Sequence, residues 1–158
     1  MKTRHYSSSV LALSGIIMMG LGLYFIFLRP PFLPEDHRYI GTTLAEIQAT
    51  MPGLLMWLRR VFWVMSGFMF TTGLLTTYLA ITAFQRLTRN VRSVIALAGL
   101  TSIGWMTIVN FMINSDFKWL LLAFNIPWIA SVFLSWRESS QARIANKSVI
   151  SERYWPCP

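Results

Sequence analysis

Four long apolar stretches, residues 10–28, 61–84, 94–113 and 119–136, fill most of this chain, and none holds an Asp, Glu, Lys, Arg or His. Each is about as long as the ~20 residues that a membrane-spanning helix requires. Backbone polar groups cannot go unpaired in hydrocarbon, so such stretches fold as helices that satisfy their own N–H and C=O groups. The expected fold class is an all-α membrane protein: a four-transmembrane-helix bundle over residues 1–136, followed by a polar cytoplasmic tail at 137–158. With 158 residues, 54% of them hydrophobic, the chain has no room for a separate soluble domain of ordinary size.

The net charge of +8 sits at the ends of these stretches rather than on a compact basic face. Nucleic acid is therefore not an expected partner; the lipid bilayer is. Lys2, Arg4, Arg86, Arg89, Arg92, Arg137, Arg143, Lys147 and Arg153 fall on one side of the four-span pattern. Arg29, Arg38, Arg59, Arg60 and Lys118 fall on the other, beside Glu35, Asp36, Glu46 and Asp116. The excess of cations places both termini in the cytoplasm, with Arg59-Arg60 as the opposing signal. The basic start, Met1-Lys2-Thr3-Arg4, resembles a signal-peptide n-region. The apolar run after it is too long for an h-region and ends without a small-residue cleavage site, so it reads as a retained first span.

Cys157 is the sole cysteine, which excludes an intrachain disulfide and dithiol redox chemistry. It stands next to the last residue, not at the fourth-from-last position of a prenylation box. The sequon Asn146-Lys147-Ser148 falls on the cytoplasmic side of this topology and is expected to stay unmodified.

The first span carries Gly15, Gly20 and Gly22, which permit close approach of a neighbouring backbone. The pairs Gly67/Thr71, Gly73/Thr77 and Ala98/Ser102 repeat small residues at a spacing of four in the second and third spans. Between the first two spans lies a long outer loop, residues 29–60. Pro30, Pro31 and Pro34 favour an extended path at its start, and Glu35-Asp36-His37-Arg38-Tyr39 forms a charged patch. Residues 44–51 read as a short amphipathic interfacial helix, with Leu44, Ile47 and Met51 on one face and a Thr43/Glu46 capping box. A connection of about five residues forces the third and fourth spans into an antiparallel hairpin, with Ser115 or Asp116 capping the fourth. Pro127 is expected to kink that span near mid-membrane. The tail reads as disordered or as an interfacial strip.

The uncharged interior argues against proton- or ion-coupled transport, which cycles a charge within the membrane. The small multidrug-resistance transporters carry a glutamate in the first span, and none is found here. The only histidines, His5 and His37, fall on opposite sides, so they cannot ligate one haem. No metal, cofactor or catalytic site is expected. Glu35-Asp36-His37 is too compact to surround an ion and has no companion ligands, and no nucleophile accompanies it for general acid–base catalysis. The patch reads as solvated or paired with Arg29 and Arg38, and Arg29, Glu35, Asp36, His37 and Arg38 form a possible outer-loop interaction site. Asn110, Asn125 and Pro127 are possible ligand or packing sites. A span asparagine needs a partner, either a neighbouring helix, with the carbonyl that Pro127 frees as one candidate, or a ligand in a cavity.

Residues 29–41, Arg-Pro-Pro-Phe-Leu-Pro-Glu-Asp-His-Arg-Tyr-Ile-Gly, together with Ser115-Asp116-Phe117-Lys118-Trp119, resemble segments of a family of uncharacterised small four-span bacterial membrane proteins. The resemblance implies an inner-membrane location and brings no activity, cofactor or site. The leading functional expectation is a non-enzymatic structural, accessory or partner-binding subunit, either homo-oligomeric or joined to another membrane protein. The alternative is a binder or carrier of a lipid or small hydrophobic molecule in an uncharged cavity lined by Asn110, Asn125 and the threonines of the second span. An outer-face enzyme using Asp36 and His37 is third.

Overall fold

A computed structural model describes residues 4–82 and 89–154, with side chains over 6–82, 91–138 and at 140. Arg86 and Cys157 lie outside the described residues. Helices α1 (Arg4–Phe27), α2 (Pro34–Ile40), α3 (Leu44–Thr50), α4 (Pro52–Thr82), α5 (Arg89–Gly99), α6 (Trp105–Met112) and α7 (Lys118–Tyr154) follow in order, and a π-helical turn, Leu100–Gly104, joins α5 to α6. No strand occurs among the described residues. Four helical stretches are long and apolar enough to cross a membrane: Tyr6–Phe27, Pro52–Thr82, Val91–Met112 and Lys118–Glu138.

The second span starts earlier than its most apolar core because Pro52 takes the first helical position, where its missing N–H costs nothing. The third span widens at Leu100–Gly104. There the Thr101 hydroxyl donates to the carbonyls of Leu97 at 2.9 Å and Ala98 at 3.2 Å. Just before the turn, Gly99 packs against the indole of Trp128, which occupies the space a Cβ would need.

The first and second spans pack together most extensively, and α7 lies against α1 as well. Small residues make this possible. A Cβ on Gly73 would stand 2.6 Å from the Gly15 carbonyl, and one on Gly22 would stand 2.9 Å from the Phe70 nitrogen. Three buried serines contribute too, because each returns its hydroxyl to a carbonyl of its own helix: Ser14 to Val10, Ser66 to Phe62, and Ser131 to Trp128. A serine satisfied in this way is nearly as small as alanine to the neighbouring helix. The expected spacing of small residues is thus used at Gly15, Gly22, Gly73 and Thr77. Gly20 and Gly67, by contrast, face open space.

The bundle is closed at its terminal end. There Leu11, Ala80 and Ile95 form a buried cluster with Ala12, Val91 and Trp128 around it. Ser8 donates to the Ala80 carbonyl at 2.5 Å, and Ser7 donates to the Glu138 carboxylate at 2.9 Å. Midway along, Asn125 Nδ2 donates to Thr107 Oγ1 at 2.6 Å and to the Leu121 carbonyl at 2.9 Å. It therefore joins the third and fourth spans and does not use the Ala123 carbonyl that Pro127 leaves without its helical donor. Helix α7 runs through Pro127 and on to Tyr154. The tail expected to be disordered or interfacial is thus helical as far as Tyr154.

At the other end, two short helices connect the first spans. The proline run extends only to Leu33, and the charged patch expected to be loop is helix α2. Pro34 starts that helix, and the Leu33 N–H donates to the Asp36 carboxylate at 2.8 Å. Two acids in its first turn suit the positive end of the helix dipole. Gly41 ends it in the left-handed region at φ 75°, a conformation that costs glycine little. Helix α3 has the expected capping box: the Glu46 N–H donates to Thr43 Oγ1 at 3.2 Å, and the Thr43 N–H donates to Glu46 at 2.8 Å. Of its apolar face only Ile47 is buried, while Leu44 and Met51 are exposed.

Candidate functional site

Toward the loop end the bundle opens into a cavity of about 800 Å³, within the ~300–1,000 Å³ range of small-molecule pockets. All four spans line it: Met18 and Leu21 from α1, Met69 from α4, Met106 from α6, and Leu121 and Phe124 from α7. The third span packs more on the fourth than on the second, which it meets in the Leu11, Ala80 and Ile95 cluster, and both α4 and α6 line the hollow. Phe68 and Trp105, one from each of these walls, line it while remaining 71% and 63% exposed. These two walls are therefore not fully enclosed.

Its uncharged lining is mostly apolar, with Thr72, Ser102, Asn110 and Ser115 among the polar exceptions, and its charged lining residues, Arg29, Glu35 and Asp36, come from the chain just after α1 and from α2. Arg29 follows the end of α1, where the Leu28 and Arg29 N–H groups still donate to the Tyr24 carbonyl. The Arg29 guanidinium lies 3.7 Å from the centre of the Phe62 ring and 5.0 Å from that of Phe25. Both aromatic faces attract a cation. Its Nη1 is buried with no hydrogen-bond partner. Burial lowers the Arg29 pKa, and the nearby charges of Asp36 and Glu35 offset part of that effect.

Glu35 is 5% exposed, and Ser115 Oγ donates to its Oε1 at 3.3 Å. Ser115 is held by the turn before α7, where its hydroxyl also accepts the Phe117 N–H at 3.2 Å. Asn114 takes a positive φ of 52° in that turn, which an asparagine tolerates better than most residues. Asp116, the other candidate cap for the fourth span, instead accepts from Nη2 of Arg38 through both carboxylate oxygens, at 2.9 and 2.8 Å. The two loop-end connections are thus joined twice, at Glu35–Ser115 and at Arg38–Asp116.

The expected outer-loop group is divided. Arg29, Glu35 and Asp36 line the cavity, whereas Arg38 pairs with Asp116 rather than with the acids beside it. The His37 ring packs edge-on against Phe32 and lies 3.2 Å from the Thr42 carbonyl through Nδ1. Among the described residues no group of three or more His, Cys, Asp or Glu could hold a metal ion.

The span residues divide in the same way. Asn110 lines the cavity and donates to the Met106 carbonyl at 2.9 Å. Asn125 and Pro127 are not among the residues that line this cavity, and Asn125 donates to Thr107 and to the Leu121 carbonyl. Ser115 was expected only as a helix cap, and its contact with a carboxylate eighty positions away has no local signature. Met69, Trp105 and Phe124 carry no sequence signal that separates a cavity wall from a lipid-facing surface.

No family model, no curated protein and no solved structure matches the chain.

Proposed function

We propose that this chain is a four-span membrane protein that binds a lipid or lipid-like amphiphile, with the apolar part in the cavity and the polar part at its charged mouth. The observation that carries this reading is the graded lining of one hollow of about 800 Å³: apolar at depth, with Arg29, Glu35 and Asp36 at the loop end. Convergent polar groups at one end of an apolar pocket fix the orientation of a ligand. The exposure of the lining residues Phe68 and Trp105 supports entry from the bilayer rather than from water. Ligand binding takes precedence over a purely accessory role because helix association alone favours close packing, as at Gly15 and Gly73, over a hollow of this size.

Cation placement supports cytoplasmic termini, which puts the mouth in the outer leaflet. The resemblance noted for residues 29–41 supports a bacterial inner membrane. Helix α3, with Ile47 buried and Leu44 and Met51 exposed, then lies in the outer interface.

Native mass spectrometry of the protein extracted in mild detergent tests the reading. Gly20 lines the cavity and Gly67 does not, and a Cβ meets nothing within 4 Å at either position. The wild type and Gly67→Phe are expected to carry one bound lipid, and Gly20→Phe to lose it while staying folded. A wild type without lipid, or equal retention in all three, counts against the cavity as the binding site.

A further inference from the structure

The mouth of the cavity holds one cation and two carboxylates that are not joined to one another. Asp36 and Glu35 lie close enough for their charges to act on Arg29, yet the ion pair among the described residues is Arg38–Asp116. Asp36 has one oxygen committed to the Leu33 N–H. Glu35 has only the long 3.3 Å contact with Ser115 although it is 5% exposed. Arg29 is held by two aromatic rings, with Nη1 buried and unpartnered. Positive and negative groups thus stand side by side with bonding capacity unused, above an apolar hollow.

That pattern selects among amphiphiles. A purely anionic head suits Arg29 but brings its charge beside two carboxylates. A cationic head has the reverse conflict, and an uncharged hydrophobe leaves all three groups unanswered. A dipolar head with a phosphate and a primary ammonium a few bonds apart answers each charge with its opposite. Guanidinium donates well to phosphate oxygens, and an ammonium offers three N–H donors to carboxylates.

Resting on the lipid-binding reading above, we propose that the cavity selects a phospholipid with a phosphoethanolamine head, its phosphate received by Arg29 and its ammonium by Glu35, with Asp36 adding negative charge. A trimethylated head keeps the charge but has no N–H to donate, so it is expected to bind less well than the primary amine.

The test offers the purified full-length protein an equimolar mixture of phosphatidylethanolamine, phosphatidylglycerol and phosphatidylcholine with identical acyl chains. Bound lipids are then counted by native mass spectrometry. Phosphatidylethanolamine is expected to exceed each of the others by about tenfold, the scale of a hydrogen bond to a charged group. Arg29→Gln is expected to lower retention of all three. Glu35→Gln is expected to remove the preference over phosphatidylglycerol by lowering retention of phosphatidylethanolamine, with phosphatidylglycerol bound no less than in the wild type. The wild-type ranking needs no variant: phosphatidylglycerol or phosphatidylcholine bound as well as phosphatidylethanolamine overturns the selectivity and leaves the cavity assignment standing. A preference that survives in folded Glu35→Gln overturns the role of that carboxylate. Absence of every phospholipid from the wild type defeats the lipid-binding reading itself.

Discussion

The guanidinium of Arg29 lies 3.7 Å from the ring centre of Phe62, so the residue that ends the first span is fixed by the aromatic face of the second. Arg29 lines the cavity, and its Nη1 is buried without a hydrogen-bond partner. Phe62→Leu keeps the apolar volume and removes the ring. Lipid affinity is expected to fall by about 0.5–2 kcal/mol, the range of a cation–π contact. Titration with a short-chain phospholipid in detergent measures it, and an unchanged affinity means that Phe62 does not position Arg29 for the ligand.

Asn125 ties the fourth span to Thr107 of the third and lies outside the cavity lining. Asn125→Leu should therefore lower stability by about 0.6–2 kcal/mol, the scale of a hydrogen bond between spans. Bound lipid should be unaffected. Thermal unfolding in detergent and lipid counting on the same sample separate the two effects; loss of lipid without loss of stability places Asn125 in the site after all.

Gly73 and Gly67 lie on one helix and should respond oppositely to alanine. At Gly73 the added Cβ meets the Gly15 carbonyl at 2.6 Å and the Met19 nitrogen at 2.7 Å, both backbone. A loss of about 1–3 kcal/mol is expected from overpacking. At Gly67 nothing lies within 4 Å, and alanine should stabilise the helix by up to about 1 kcal/mol. Unfolding midpoints of the two variants check the pair, and equal midpoints contradict the packing described for the first two spans.

The start of α3 should depend on pH through Glu46. Its carboxyl is held below the usual value by the Thr43 N–H and by the hydroxyls of Thr42 and Thr43. A carboxylate with a lowered folded pKa stabilises the fold above its unfolded pKa, and that stability is lost as pH falls through the folded pKa. Amide exchange at Glu46 and Ile47, corrected for intrinsic rates, should lose protection as pH drops below the ordinary 4.5. Glu46→Ala should remove the dependence; protection that is flat through this range in the wild type contradicts the cap.

The four long apolar helices were legible because their signals are local. Runs of apolar residues without charge mark helices whatever surrounds them, and Thr43 with Glu46 marks a helix start within four residues. Helix α2 was hidden by the prolines before it, since Pro34 reads as part of an extended run until its place at the first helical position is known. The cavity has no local signal either. It depends on which faces meet, and Met69, Trp105 and Phe124 would read identically on a lipid-facing surface. Asn125 looked as suited to a ligand as Asn110, and only the position of Thr107 across the helix pair separates them.

Photo-crosslinking with a phospholipid carrying a diazirine near the end of one acyl chain tests the central claim most directly. After irradiation of the protein in bilayers of this lipid, adducts should concentrate on the cavity wall, at Met18, Met69, Ser102 and Phe124. Gly20→Phe should remove them. Adducts confined to outward positions such as Leu75, Tyr78 and Ile81, which are 55%, 63% and 65% exposed, and unchanged by Gly20→Phe, would contradict a lipid held inside the bundle.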